Sequence, residues 1–201
     1  MNFFINNLEM EKFMIALKEG DEETCINILE KENIDVHKKD NEMECKENHY
    51  LRHASSIVIA SEMGMAKVVE LLIQKGANLN DTDCHRLTSL MKASIYDNAD
   101  VIEILLSHGA NIHEKCVNNG ATAIMYACLH SNKNALQLLL SKGASANDTT
   151  LNGQTCHDVT FNFEIKSILA KWPVTMVITM YEELLIYNQI YDSVYDLAEF
   201  I

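Results

Sequence analysis

Proline is nearly absent from this chain, with one copy in 201 residues, and glycine is scarce, with seven. A sandwich or barrel of many short strands needs a turn residue at every reversal, so this composition argues against one and for helices. Leu, Ile, Ala, Met, Glu and Lys are helix formers, and they dominate instead. Basic residues are also short: 16 Lys and Arg stand against 29 Asp and Glu, a net charge of −13. The imbalance sits at the ends, with −7 over residues 1–50, −1 over 51–171 and −5 over 172–201. Nucleic acid and anionic lipid both require the opposite sign, so neither is an expected partner.

A long apolar run is missing too. The best, Val174 to Ile190, carries Glu182 and Glu183 at its middle, which argues against a membrane span. The start, MNFFINNLEM, has neither a basic flank nor sustained apolar character, so no secretory signal is expected. The six cysteines, Cys25, Cys45, Cys84, Cys116, Cys128 and Cys156, form no C-x-x-C pair. They are expected to stay reduced, in the cytoplasm, the nucleus or the cytoplasm of a host cell. With 48% hydrophobic residues the chain can bury a core, and it has no disorder signature.

What is present is an internal repeat. Three segments end alike: ELLIQKGAN at Glu70–Asn78, EILLSHGAN at Glu103–Asn111 and LQLLLSKGAS at Leu136–Ser145. Their glycines, Gly76, Gly109 and Gly143, are 33 and 34 residues apart. Upstream lie SSIVIA at Ser55–Ala60, TSLMKA at Thr88–Ala93 and TAIMYA at Thr122–Ala127, and in each copy the hydroxyl residue precedes the glycine by 21 positions. Ser55, Thr88 and Thr122 suit the N-cap of a first helix. The alanines Ala60, Ala93 and Ala127 permit close helix packing, and V-V-E-L-L, V-I-E-I-L-L and A-L-Q-L-L-L are the apolar stripes of second helices. The glycines follow those helices, where a left-handed residue is needed.

These motifs resemble ankyrin repeats, whose T-P-L-H-x-A signature appears here in degraded form. The expected fold is therefore an all-α ankyrin-repeat solenoid, helix–turn–helix pairs joined by hairpin loops, with a C-terminal helical cap. Two further copies follow from the register. One is centred on Thr155 after Gly153; in the other, Lys12–Lys18 and Glu23–Lys31 are helices flanking Gly20 and Asp21. Repeats are expected over about 1–40, 53–83, 84–116, 117–150 and 151–172, with an insertion near 41–52 and a capping or docking segment over 173–201. The family's motif proline is replaced by Ser56, Ser89, Ala123 and Cys156, and its histidine by Val58, Met91, Met125 and Asp158. The resemblance thus implies that the usual Thr–His bonding between repeats is lost here without a change of fold. The Asn- and Ile-rich usage is similar to that of ankyrin proteins from large DNA viruses or intracellular organisms.

Phe163–Lys171 reads as a short helix stopped by Trp172 and Pro173. Beyond it Val177, Met180, Tyr181, Leu184 and Leu185 keep a helical period, and Asp192-Ser193 suits an N-cap before a last helix. This tail reads as a cap on the stack. Its EELLIYNQIYDSVYDLAEF also loosely resembles the truncated F-box of some viral ankyrin proteins, which implies recruitment of a ubiquitin ligase as the alternative function.

No Gly-rich phosphate loop, G-x-S-x-G or H-E-x-x-H is present, and neither a catalytic residue nor a cofactor is expected. Cysteine and histidine do recur together, as Cys84-His85, His113-x-x-Cys116, Cys128-x-His130 and Cys156-His157, and Cys45, His49 and His53 share a four-residue spacing. A tetrahedral zinc site is the less favoured reading of these; core or surface thiols are the default. Asn80 and Asn147, with Leu72 and Leu139 upstream, resemble sites hydroxylated in some ankyrin repeats, although asparagine also simply suits such a turn.

The resemblance implies binding of another protein through the hairpin tips and the concave face of first helices, by a chain expected to be a monomer. That face comprises Leu51, Arg52, Glu62 and Met63, then Cys84, His85, Leu87, Ile95 and Tyr96, with His108 beyond. It continues with Asn118, Asn119, Leu129 and His130, and ends with Leu151, Asn152 and Phe163. Met63, Ile95, Tyr96, Leu129 and Phe163 would make an apolar and aromatic ridge of the kind that marks binding surfaces.

Overall fold

The computed structural model describes residues 2–31, 34, 36 and 54–173. Arg52, Leu51, the insertion near 41–52 and the tail from 174 onward, with its F-box-like rhythm, lie outside the described residues. The chain forms two compact units, Met1–Phe161 and Asn162–Ile201. The division falls earlier than the expected boundary after Trp172.

In the first unit, paired helices follow one another: α1 (Asn2–Glu19) with α2 (Glu22–Lys31), α3 (Ser56–Glu62) with α4 (Ala66–Gln74), α5 (Ser89–Ile95) with α6 (Ala99–Ser107), and α7 (Ala123–Leu129) with α8 (Lys133–Ser141). A one-turn α9 (Cys156–Val159) follows. α1, α3, α5, α7 and α9 stack in order as one layer, and α2, α4, α6 and α8 as the other. α1 begins ahead of the expected Lys12, because nothing in residues 2–11 breaks a helix. Gly20, at φ 77°, and Asp21, whose carboxylate accepts the Thr24 N–H at 3.0 Å, make the turn into α2.

The second helices bury the stripes that their spacing dictates. Val68, Val69 and Leu72 are covered on α4, Val101, Ile102 and Leu105 on α6, and Ala135, Leu136, Leu139 and Leu140 on α8. Full burial of each Leu or Ile contributes about 1.5–3 kcal/mol. α3, α5 and α7 are buried nearly all round because both neighbours and their own partner cover them; Ala60, Ala93 and Ala127 are 0% exposed. α4, α6 and α8 close in the same way. Gly76, Gly109 and Gly143 take φ of 89°, 87° and 92°. Their N–H groups and those of the following alanines return to the last turn, as in Ala77 N–H to the Leu72 carbonyl at 2.9 Å.

The N-caps depart from expectation. Ser55, Thr88 and Thr122 all hold extended backbone at the cap position, but only the Thr88 hydroxyl accepts a helix N–H, from Met91 at 3.4 Å. The Ser55 and Thr122 hydroxyl oxygens are buried without a hydrogen-bond partner. Stacking of neighbouring repeats has enclosed them, and packing rather than capping starts these helices. Thr155 is held differently again, with Asp158 Oδ2 accepting its N–H at 2.8 Å and its hydroxyl at 2.7 Å.

In the second unit, residues 163–173 are helical, taking in Trp172 and Pro173 rather than stopping at Lys171. Pro173 has no N–H to donate to the preceding turn, so the helix forgoes that bond there. Asn162 Oδ1 accepts the N–H groups of Glu164 and Ile165, and Ile165 and Leu169 are buried.

Candidate functional site

Between one second helix and the next first helix the chain reverses in a tight tip. In the third repeat Asp83 organises it: Oδ1 accepts the His85 and Leu87 N–H groups at 2.8 and 2.9 Å, while the Asp83 N–H reaches the Leu87 carbonyl at 3.1 Å. Thr82 and Thr88 form an isolated antiparallel bridge across the tip. The fourth tip is one residue longer, and its Cys116 N–H reaches the Ala121 carbonyl at 2.9 Å. Successive tips are tied together. Asn118 Nδ2 donates to the His85 carbonyl at 2.9 Å, and the Leu151 N–H donates to the Asn119 carbonyl at 2.9 Å. Left-handed residues stand two positions before the hydroxyl residue in each tip: Arg86 at φ 63°, Gly120 at 73° and Gly153 at 75°.

Behind the third tip lies a buried charge cluster. Lys92, in the middle of α5, extends Nζ to Glu62 Oε2 at 3.0 Å and to Asp83 Oδ2 at 3.1 Å, all three side chains being largely enclosed. Burial opposes its charge, but Glu62 and then Asp83 outweigh that and hold the Lys92 pKa above its ordinary value. The Tyr96 hydroxyl donates to the same Glu62; burial first, and then this carboxylate, raise the Tyr96 pKa. One lysine thus joins the end of α3, the base of the tip and α5.

The turns between first and second helices are stitched by asparagine. Asn98 Nδ2 donates to the Ser61 and Glu62 carbonyls at 2.9 and 3.0 Å, and Asn132 Nδ2 to those of Ser94 and Ile95 at 2.8 and 2.6 Å. Each satisfies the orphan carbonyls at the end of the preceding first helix. The residue before each is left-handed, Asp97 at φ 58° and Ser131 at 62°, matching Gly64 at 73°. Asp97 also reaches across to the next repeat, accepting the Ala135 N–H at 2.7 Å. These bonds join each repeat to the one before it.

Of the residues expected on the binding face, several are exposed at the ends of first helices. Met63 is 41% exposed after α3, Tyr96 51% after α5 and Leu129 53% at the end of α7. Ile95 is half-buried; Cys84, His85, Asn118, Asn119, His130, Leu151 and Asn152 are exposed. Three expectations change. Leu87 is buried, because both its N–H and its carbonyl are bound to Asp83 and the tip folds it inward. Glu62 is committed to Lys92 and is no free contact residue. His108 closes α6, in the other layer, with Nδ1 at 2.9 Å from the Ile104 carbonyl. Phe163, 87% exposed, belongs to the second unit and is described with it alone. Asp83, Lys92, Arg86, Asn98 and Asn132 carry no motif that marks them in the sequence. The recurrence of Asp97-Asn98 and Ser131-Asn132 at a 34-residue spacing was the available signal.

Cys25, Cys116, Cys128 and Cys156 are buried thiols and Cys84 is an exposed one. Cys128 and Cys156 meet: their hydrogen bond first, and then burial, push the Cys128 pKa up. Tyr126, buried, shares a hydrogen bond with Asn119 at 3.0 Å. Among the described residues no three His, Cys, Asp or Glu side chains converge as metal ligands, and Cys45, His49 and His53 lie outside them. Asn80 and Asn147 are exposed, with N–H groups bound to Asn78 Oδ1 and Ser145 Oγ. No helix among the described residues is long and apolar enough to cross a membrane.

Two layers of short helices, joined by tips and closed by glycine at a fixed period, define a helical-repeat protein of the kind whose surfaces bind other proteins. A family model for ankyrin repeats in three copies matches residues 13–116 and again 57–150, and the chain belongs to the ankyrin-repeat family. No curated protein matches the sequence.

Proposed function

We propose that this chain binds a partner protein along its first-helix layer and hairpin tips, and acts by occupancy, masking the partner or holding it for another. The observation that carries the reading is a large exposed apolar side chain at the end of the first helix in three successive repeats: Met63 and Tyr96, which close α3 and α5, and Leu129, the last residue of α7. A stack that only needed solubility would place polar residues there, whereas contiguous exposed apolar surface marks interaction sites. Tyr and Met are also enriched at the centre of protein interfaces. Beneath the row, the Lys92 cluster and the asparagine stitches fix the spacing of the repeats, so a partner meets a preformed surface and loses little to ordering it.

The test replaces Ile95 and Tyr96 together by alanine and compares proteins captured by the variant and by the native chain, identified by mass spectrometry. The expected outcome is a discrete set lost from the variant while its far-ultraviolet circular dichroism is unchanged. An identical captured set with a folded variant would remove the first-helix layer as the docking face.

A further inference from the structure

We propose that Asn152 is a self-modifying site: its carboxamide converts in water to aspartyl and isoaspartyl forms, and the change loosens the fifth tip from the fourth. The conversion needs no partner and so stands apart from the docking face.

Two of the seven glycines follow an asparagine, Gly120 after Asn119 in the fourth tip and Gly153 after Asn152 in the fifth. In such a pair the glycine nitrogen reaches the asparagine Cγ readily, because no side chain on the glycine stands in the way. The N–Cγ bond forms as the Cγ–Nδ2 bond breaks, and the proton lost by the glycine nitrogen leaves with the carboxamide nitrogen as ammonia. Water then adds at one of the two carbonyls of the cyclic imide and opens it. Opening at one gives aspartate; opening at the other gives isoaspartate, whose main chain runs through Cβ and Cγ and is one atom longer. Asparagine and water thus become a carboxylic acid and ammonia, with no oxidant or reductant.

The two pairs differ in what holds them. Asn119 Oδ1 accepts the Ala121 N–H at 3.0 Å, and its Nδ2 donates to the Tyr126 hydroxyl at 3.0 Å. The Asn119 carbonyl accepts the Leu151 N–H at 2.9 Å, and the Gly120 N–H donates to the Cys116 carbonyl at 2.7 Å. Gly120 is also hemmed in, since a Cβ there would stand 2.8 Å from the Leu151 nitrogen. Turning the Asn119 carboxamide toward the Gly120 nitrogen therefore gives up bonds on every side. Asn152 is exposed, and its carboxamide has no hydrogen-bond partner among the described residues. A Cβ on Gly153 would meet nothing within 4 Å, and the bond to be released there is its N–H to the Thr150 carbonyl at 3.0 Å. The fifth tip leads into the one-turn α9, the last helix of the first unit, and terminal elements open locally more readily than enclosed ones.

The product changes the stack because Leu151, next to the reacting residue, ties the fifth tip to the fourth through its N–H. A longer main chain at position 152 pulls Leu151 or Gly153 off its bond. The new carboxylate also places a negative charge beside the exposed Leu151 side chain.

The test incubates the full chain in mildly alkaline buffer, where the glycine nitrogen loses its proton more readily. Conversion at each asparagine is followed by peptide mass spectrometry with electron-transfer fragmentation, which distinguishes aspartate from isoaspartate. Asn119 must give up two carboxamide bonds that Asn152 does not have, so Asn152 should convert about tenfold or more faster in the folded chain. In the guanidinium-unfolded chain the two should convert at similar rates. Tyr126→Phe, which removes the acceptor of Asn119 Nδ2, should raise conversion at Asn119 and leave Asn152 unchanged. The isoaspartyl protein, separated by ion exchange, should show faster amide hydrogen exchange at Leu151 than the native chain. Equal conversion of the two asparagines in the folded chain, faster conversion at Asn119, or none at Asn152 would each overturn the site. Unchanged exchange at Leu151 in the isoaspartyl protein would overturn the loosening of the tips.

Discussion

Single residues in this stack differ in whether their polar atoms found partners. Thr122 has a buried hydroxyl oxygen with no hydrogen bond, at a position that the sequence pattern presents as a cap. An unsatisfied buried hydroxyl costs about 1–3 kcal/mol, so Thr122→Val, of the same shape, should hold or raise the urea midpoint. Removal of a working threonine cap would lower it by about 1 kcal/mol, the opposite result. The thiols make a second contrast. Burial, and then Asp21 and Glu22, push the Cys25 pKa up to about 12 from 9.0. The folded state therefore keeps the proton that the unfolded chain gives up, and this contribution is complete below pH 9.0 and lost as pH rises toward about 12. Denaturation midpoints should fall across that alkaline window, and Cys25→Ala should flatten the fall. Under native conditions Cys84 should be the first of the described thiols to take up a thiol reagent, followed by mass spectrometry, because it alone among them is exposed.

At the scale of the element, the helices were legible and their fastenings were not. The stripes on α4, α6 and α8 and the glycines after them follow from a period that any burial of one face imposes. Lys92, by contrast, reads in sequence as an ordinary polar residue of a first helix; its role depends on Asp83 and Glu62 arriving from the preceding turn and the neighbouring repeat. Arg86 was hidden in the same way, since its backbone angle is set by the tip and not by its own preference. The repeat register puts Leu87 on the binding face, and Asp83 draws it inward. The consequence is measurable. Lys92→Met should destabilise by about 3–5 kcal/mol, because two enclosed carboxylates lose their counter-charge, whereas a surface lysine change stays within about 0.5 kcal/mol. Chemical denaturation decides between them, and a small effect would mean that water reaches the cluster.

At the largest scale, what matters is that the main contacts among the described helices of the first unit lie within a repeat or join neighbouring repeats. α3 packs on α5 and α5 on α7, while α4 packs on α6 and α6 on α8, so stability is approximately a sum of repeat and interface contributions. This has a consequence for pairs of substitutions. Asn98 fastens the second repeat to the third through the Ser61 and Glu62 carbonyls; Asn132 fastens the third to the fourth through those of Ser94 and Ile95. Both asparagines satisfy two helix-end carbonyls, so each alanine substitution should cost about 2–3 kcal/mol. Because they belong to different interfaces, Asn98→Ala and Asn132→Ala should add to within about 0.5 kcal/mol. Glu62→Gln behaves differently toward Asn98, since the Glu62 backbone carbonyl accepts from Asn98 while its carboxylate holds Lys92. Releasing either one loosens the end of α3 for the other, so the Asn98→Ala and Glu62→Gln pair should depart from additivity by about 0.5–3 kcal/mol. Urea denaturation of the single and double variants measures both cycles on one scale. Equal coupling in the two would mean that the array moves as one block, and the spacing of Met63, Tyr96 and Leu129 would then be set by all the repeats together rather than by the interfaces beneath them.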